Sequence, residues 1–250
     1  HAAEHQTFQQ QHAHGPRAGL AQNLYRARNA AKSTTDNQYR AHRIAGYICS
    51  MNSKHIVWQH GAVSRRQREE MNGHRAAVVW FTGLSGSGKT TLALAIEEHL
   101  TKAGCRAYVL DGDNLRHGLC ADLGFTPEAR AENIRRAAET ARLFVDAGVI
   151  VLAAFISPYI SDRARARALL PPGDFIEAWC RCPAEVCEQR DVKGLYRKAR
   201  AGHIPHFTGI SSPYEPPTQA ELVLDTDRIG IDTAIRAVLG ELRARRIIHS

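Results

Sequence analysis

A chain of 250 residues with 44% apolar content can build one sizeable α/β domain plus extra segments, and it carries no apolar run of membrane length. The formal charge of +8 is divided, since residues 1–52 hold six Lys/Arg against two acids and leave the remainder near +4; a small polyanionic ligand accounts for that surplus, and no dense basic run with interleaved aromatics speaks for nucleic acid. Six cysteines without a secretory apolar segment point to a reducing, cytoplasmic setting, and Cys180-Arg181-Cys182 with Cys187 lacks the paired spacing of a zinc site, so buried thiols are expected there.

Residues 1–50 are rich in Gln, His, Ala, Asn and Arg and lack a sustained apolar period. They read as a disordered or non-native extension, with Met51 as a candidate start, residues 51–250 as the folded unit and a transit peptide as the competing reading. Next, Val57 and Trp58 suggest an anchoring strand and residues 65–71 a short polar helix. Val78-Val79-Trp80-Phe81-Thr82 then reads as a buried strand, and the stripe Leu92, Leu94, Ala95, Ile96 and Leu100 as a helix begun near Lys89. Between them lies G-x-x-x-x-G-K-T, running from Gly83 to Thr90. Placed between a strand and a helix, that spacing is a P-loop: Gly83, Gly86 and Gly88 let backbone N–H groups turn inward, and the positive helix end adds to a phosphate-binding concavity. Gly83, Leu84, Ser85, Gly86, Ser87, Gly88, Lys89, Thr90 and Thr91 are therefore the expected ATP-binding set, with Lys89 on the β/γ-phosphates and the Thr90 hydroxyl on Mg²⁺.

Ala107-Tyr108-Val109-Leu110 suits a second buried strand, and Asp111-Gly112-Asp113-Asn114-Leu115-Arg116 follows at its carboxyl end, where a parallel sheet opens its ligand crevice. Thr126-Pro127-Glu128 starts a helix that Gly148 ends, residues 149–156 are apolar enough for a strand covered on both faces, and Ser157-Pro158-Tyr159 closes it. Ser161-Asp162 opens a further helix, residues 175–179 form a fourth strand, Leu222-Val223-Leu224 a last one, and residues 231–242 an amphipathic closing helix. Between them, residues 190–217 carry Lys193, Arg197, Lys198, Arg200 and His203 with glycines at 194, 202 and 209; so long a loop in a compact domain reads as a mobile lid over phosphates. The pattern predicts an α/β fold with a mostly parallel sheet and helices on both faces.

Several long motifs together resemble the adenylyl-sulfate kinase family. They are Phe81-Thr82-Gly83-Leu84-Ser85-Gly86-Ser87-Gly88-Lys89-Thr90, the run from Asp111 to Leu119, Asp122-Leu123-Gly124-Phe125, Glu132-Asn133-Ile134-Arg135-Arg136, Ile156-Ser157-Pro158-Tyr159, Lys193-Gly194-Leu195-Tyr196 and Phe207-Thr208-Gly209-Ile210. The resemblance covers roughly four-fifths of the chain, from about His55 onward. It implies a P-loop kinase that phosphorylates the ribose 3′-hydroxyl of adenosine 5′-phosphosulfate in sulfate assimilation. Arg116, Arg130 and Asn133 would hold the phosphosulfate, Phe125 and Phe207 would sandwich the adenine, and Ile156, Ser157 and Lys193 would complete the acceptor side. Arginine forks and aromatic faces suit those tasks. Ser157 matches the serine described in the family as a phosphoserine intermediate, although direct transfer explains the reaction without it, and capping the turn is its alternative role. In-line transfer also needs a carboxylate near the acceptor hydroxyl; Asp113 is the first choice and Asp111 the second. No strand-ending Walker B Asp is evident, so the Asp111/Asp113 cluster is expected to serve the metal through water. The resemblance leaves room for a homodimer and for association with a sulfate adenylyltransferase. The alternatives are another small-molecule P-loop kinase and a non-catalytic nucleotide-binding module.

Overall fold

The computed structural model describes Val57, Gln59 and residues 61–249; the extension at 1–50, Met51 and Trp58 lie outside the described residues. Val57 stands in no strand and is largely exposed, so the anchoring strand expected there is not formed by it. The short polar helix is present as α1 (Arg65–Asn72), closed by a capping box between Ser64 and Gln67.

Five strands form one wholly parallel sheet in the order β2-β3-β1-β4-β5, where β1 is Val78–Thr82, β2 Ala107–Asp111, β3 Ile150–Ala154, β4 Phe175–Arg181 and β5 Leu222–Asp225. Parallel neighbours need crossover connections, and the helices between the strands, together with a closing helix after β5, cover both faces. These are α2 (Lys89–Lys102), α3 (Gly112–Leu115), α4 (Pro127–Asp146), α5 (Ile160–Ala168), α6 (Ala184–Arg190), α7 (Leu195–Arg200) and α8 (Ile231–Ala244).

β1 lies at the centre, with Val78 opposite Val151 on one side and Phe175 on the other. Successive side chains of a strand point to opposite faces, so Val79 and Phe81 pack with Leu152 and Ile176 against Leu92 and Ile96 of α2 and Val238 and Leu242 of α8. Val78 and Trp80 face the other way, toward Ile134, Ala138 and Ala141 of α4 and Ala166 of α5. The result is a three-layer α/β domain whose central strand delivers the P-loop to the carboxyl edge of the sheet. α4 starts as its sequence suggests, with the Thr126 hydroxyl accepting from Ala129 N and Pro127 in the first turn.

The segment expected to be a long structureless loop has structure of its own. α7 sits inside it, and Tyr196, Phe207, Cys182 and Cys187 form a small buried cluster beneath it. Apolar side chains at 195, 196, 204, 207 and 210 give this segment enough to bury a satellite core, which a reading centred on its basic residues and glycines overlooks.

Candidate active site

The cradle is a place where only glycine fits. At Gly83, with φ +149°, an added Cβ would lie 2.6 Å from the Cys180 carbonyl oxygen; at Gly86, with φ +78°, it would lie 2.9 Å from that of Cys187. The end of β4 and the body of α6 thus press on the turn from behind, and side chains there would push it out of shape. Lys89 projects from the first residue of α2 and is buried; its Nζ donates to the Leu84 carbonyl oxygen at 2.6 Å and reaches Ser87 Oγ at 3.4 Å. Burial pushes its ammonium down from the ordinary lysine value to about 8.

Thr90 Oγ1 donates to Asp111 Oδ2 at 2.7 Å. The other oxygen of Asp111 accepts from Asp113 N at 2.9 Å and Asn114 N at 3.1 Å, capping α3. Asp111 is therefore held by its own turn, whereas Asp113 is exposed and pairs across the cleft with Lys193, which raises the lysine's pKa.

A cleft of about 1030 Å³ brings Lys89, Thr90, Asp111 and Asp113 together with Arg116, Phe125, Arg130, Asn133, Ile156, Ser157, Lys193 and Phe207. Ser85, Gly86, Gly88 and Thr91 also line it, while Gly83, Leu84 and Ser87 do not. Arg116 donates to the carbonyl oxygens of Leu123 and Gly124, each at 3.0 Å, and its guanidinium lies 4.3 Å from the Phe125 ring centre. Arg130 reaches the Phe125 carbonyl oxygen at 2.9 Å, Thr208 Oγ1 at 2.9 Å and the His206 carbonyl oxygen at 2.6 Å, so it ties α4 to the lid. Desolvation lowers the pKa of both guanidinium groups, as befits cations held at a cleft wall. Asn133 is buried, and its Oδ1 has no hydrogen-bond partner among the described residues.

The two candidate stacking rings differ. Phe125 is 52% exposed, whereas Phe207 is 6% exposed and meets Tyr196 edge-on at 5.0 Å. Phe207, expected to sandwich the adenine with Phe125, is thus packed into a small core that the lid carries itself. Ser157 is also buried, with φ +38° in the left-handed region. Trp80 Nε1 donates to its Oγ at 3.1 Å, and that hydroxyl donates to Thr82 Oγ1 at 3.0 Å.

The sequence profile of the family described as adenylylsulphate kinase matches residues 75–225. An adenylyl-sulfate kinase of Acaryochloris marina is 56% identical over 199 residues, which cover 80% of this chain and 97% of that protein; one of Geotalea uraniireducens is 58% identical over 188 residues, 75% and 90% of the two chains. The chain belongs to the adenylylsulphate kinase family. Among solved structures, the APS kinase of Mycobacterium tuberculosis in complex with AMPPNP and APS is 51% identical, covers 68% of this chain and 99% of its own, and superposes with a TM-score of 0.65.

Against that family background, the cleft also contains residues to which motif reading gave no role of their own. Arg190, at the end of α6, donates to the carbonyl oxygens of Gly86 at 3.3 Å and Thr226 at 2.8 Å, and so joins the cradle to the end of β5. Tyr196 donates its phenolic proton to the Ser85 carbonyl oxygen at 3.0 Å. Arg190 reads in sequence as one more basic residue at the start of the lid, and Tyr196 carries no local mark of a P-loop contact. Cys180, Cys182 and Cys187 are buried thiols, and desolvation pushes Cys180 and Cys187 up to about 12, so they stay protonated and inert at neutral pH. Among the described residues no helix is long and apolar enough to cross a membrane.

Proposed function

We propose that this adenylylsulphate kinase-family protein transfers the γ-phosphoryl group of ATP to the ribose 3′-hydroxyl of adenosine 5′-phosphosulfate, giving ADP and 3′-phosphoadenylyl sulfate. The observation that carries the reading is the single cleft in which a P-loop lysine and a capped acidic turn face two arginines and an exposed aromatic ring. In the transfer the bond from the γ-phosphorus to the β,γ-bridging oxygen breaks, a bond to the acceptor oxygen forms, and the acceptor proton passes to Asp113. Lys89 neutralises the transferring group, which is why its burial and lowered pKa matter: bound phosphates would supply counter-charge to a desolvated ammonium. Arg116 and Arg130, now spent on backbone carbonyls, turn to phosphosulfate oxygens together with Asn133, and Lys193 leaves Asp113 free when substrate enters.

Thr90 and Asp111 suit a hard divalent cation such as Mg²⁺, because they present oxygen ligands at the phosphate cradle. When bound, the cation offsets charge on the phosphate oxygens. Phe125 and Phe207 flank the adenine in this reading, with Phe207 also packed on Tyr196. The buried, doubly bonded hydroxyl of Ser157 favours direct transfer, with Ser157 shaping the floor of the cleft.

The test is an assay with MgATP and adenosine 5′-phosphosulfate that detects the 3′-phosphorylated product, run beside a panel of nucleosides and sugar acids. Product from the phosphosulfate alone is the expected outcome; turnover confined to another acceptor would replace this reading with that of a different P-loop kinase.

A further inference from the structure

Arg163 lies on α5, outside the cleft wall, and is almost wholly buried at 2% exposure. Its guanidinium uses all three nitrogens: Nε donates to Glu177 Oε1 at 2.6 Å, Nη1 to the Ser157 carbonyl oxygen at 2.7 Å and Nη2 to the Glu215 carbonyl oxygen at 2.8 Å. One side chain thus holds the turn after β3 and the strap at 213–216 that brings the chain back from the lid.

Further bonds tie the strap to this turn and to the end of β1. Glu215 N donates to the Pro158 carbonyl oxygen at 2.8 Å, the Glu215 carboxylate accepts from Ile160 N at 2.7 Å, and Tyr214 OH lies 3.0 Å from Thr82 Oγ1. Both ends of this assembly reach the cleft. On one side, residues 156–158 line it, with Ser157 held at φ +38°, a conformation that L side chains rarely adopt and that persists only where surrounding contacts impose it. On the other side, the Phe207 carbonyl oxygen accepts from the N–H groups of Ile210, Ser211 and Ser212, so the strap continues directly into the turn that carries Phe207 and Thr208; Thr208 in turn bonds Arg130.

We infer that Arg163 is a positioning residue that locks the lid's returning strap to the Ser157 turn and thereby sets the acceptor end of the cleft. The inference rests on the phosphosulfate reading above for the identity of the acceptor. A competing role, simple neutralisation of buried Glu177, needs only a positive charge, and Arg167 already stands 3.3 Å from that carboxylate. The two carbonyl contacts need the planar fork, which lysine lacks. Arg163→Lys therefore separates the roles by keeping the charge and losing the fork.

The experiment measures KM for adenosine 5′-phosphosulfate and for MgATP, together with amide hydrogen exchange at 207–216 without substrate, in the full-length protein and in Arg163→Lys. The acceptor KM should rise about tenfold, the scale of one lost buried hydrogen bond, while that for MgATP stays within about twofold. Exchange in the strap should quicken. Tyr214→Phe removes only the contact to Thr82 and should shift the acceptor KM the same way, by about threefold, and it decides the matter if Arg163→Lys does not fold. Unchanged acceptor KM and unchanged exchange, or parallel movement of both KM values, overturns the inference. Should the unmodified protein fail to phosphorylate adenosine 5′-phosphosulfate, the functional reading falls, and the exchange rates alone decide whether Arg163 couples strap to turn.

Discussion

At the donor end of the cleft the P-loop hangs from a strand buried on both faces, with carbonyl oxygens of Cys180 and Cys187 pressed against Gly83 and Gly86, whereas at the acceptor end Phe125 is half exposed and Arg116 and Arg130 rest on backbone carbonyls. In the proposed reading, the donor end is built before ligand arrives, and the acceptor end is assembled from groups that exchange partners when ligand arrives. The contrast has a physical source. A triphosphate is recognised by backbone N–H groups and one lysine, which the core can hold rigid, while a base and a phosphosulfate are recognised by side chains that must reach across from a helix and a lid.

The largest effect expected from breaking this arrangement is at its rigid end. Lys89→Ala should cut turnover on the order of a thousandfold, by comparison with cationic groups at a transferring phosphoryl, in a protein that still folds. Steady-state rates and a thermal melt on the same preparation check this, and activity within a few-fold of the unmodified protein would remove Lys89 from the chemistry.

At the adaptable end the two rings should part company. Phe207→Ala should cost about 3 kcal/mol of stability through its lost packing on Tyr196 and also raise the acceptor KM. Phe125→Ala should raise the acceptor KM about tenfold, as stacking on a base is worth about 1 to 3 kcal/mol, and leave Tm where it is. Paired KM and Tm measurements decide: a lowered Tm with unchanged KM in Phe207→Ala would leave base recognition to Phe125.

The smallest effect is a pH dependence specific to the donor end. Burial lowers Lys89 to about 8 in the free protein, so kcat/KM for MgATP should fall as pH rises through that value and the charged amine is lost. Stability moves oppositely. Below about 8 the folded and unfolded chains both carry the proton and the folded state bears the burial cost; between about 8 and the ordinary 10.5 the unfolded chain binds more protons, so this contribution to stability rises with pH. Urea unfolding across that window, compared with Lys89→Met, should show the increment in the unmodified protein alone; an identical pH slope in both would show that burial does not strain the lysine.

Much of this is legible in the sequence alone. The strand-turn-helix around Gly83 to Thr90, the acidic turn after β2 and the long helix opened by Thr126-Pro127 are written in short-range periodicity and capping, and each stands where its residues predict. The buried cluster under the lid was missed because five apolar positions scattered over residues 195–210 make no regular period. Val57 misled in the opposite way: an apolar residue of high strand propensity stands exposed and outside any strand, because propensity alone buries nothing.

The sequence by itself determined the chemistry available: a phosphate cradle and a carboxylate turn just beyond two strands, two arginines and a ring near helix ends, and a second ring in the lid. Only the tertiary structure decided the sheet order β2-β3-β1-β4-β5, the burial of Phe207, the left-handed Ser157 and the reach of Arg163 to both Ser157 and Glu215. Local propensities act over a few residues, but these features come from contacts between segments far apart in the chain. Such contacts exist only after the sheet has closed and burial has left each polar group to find its partner.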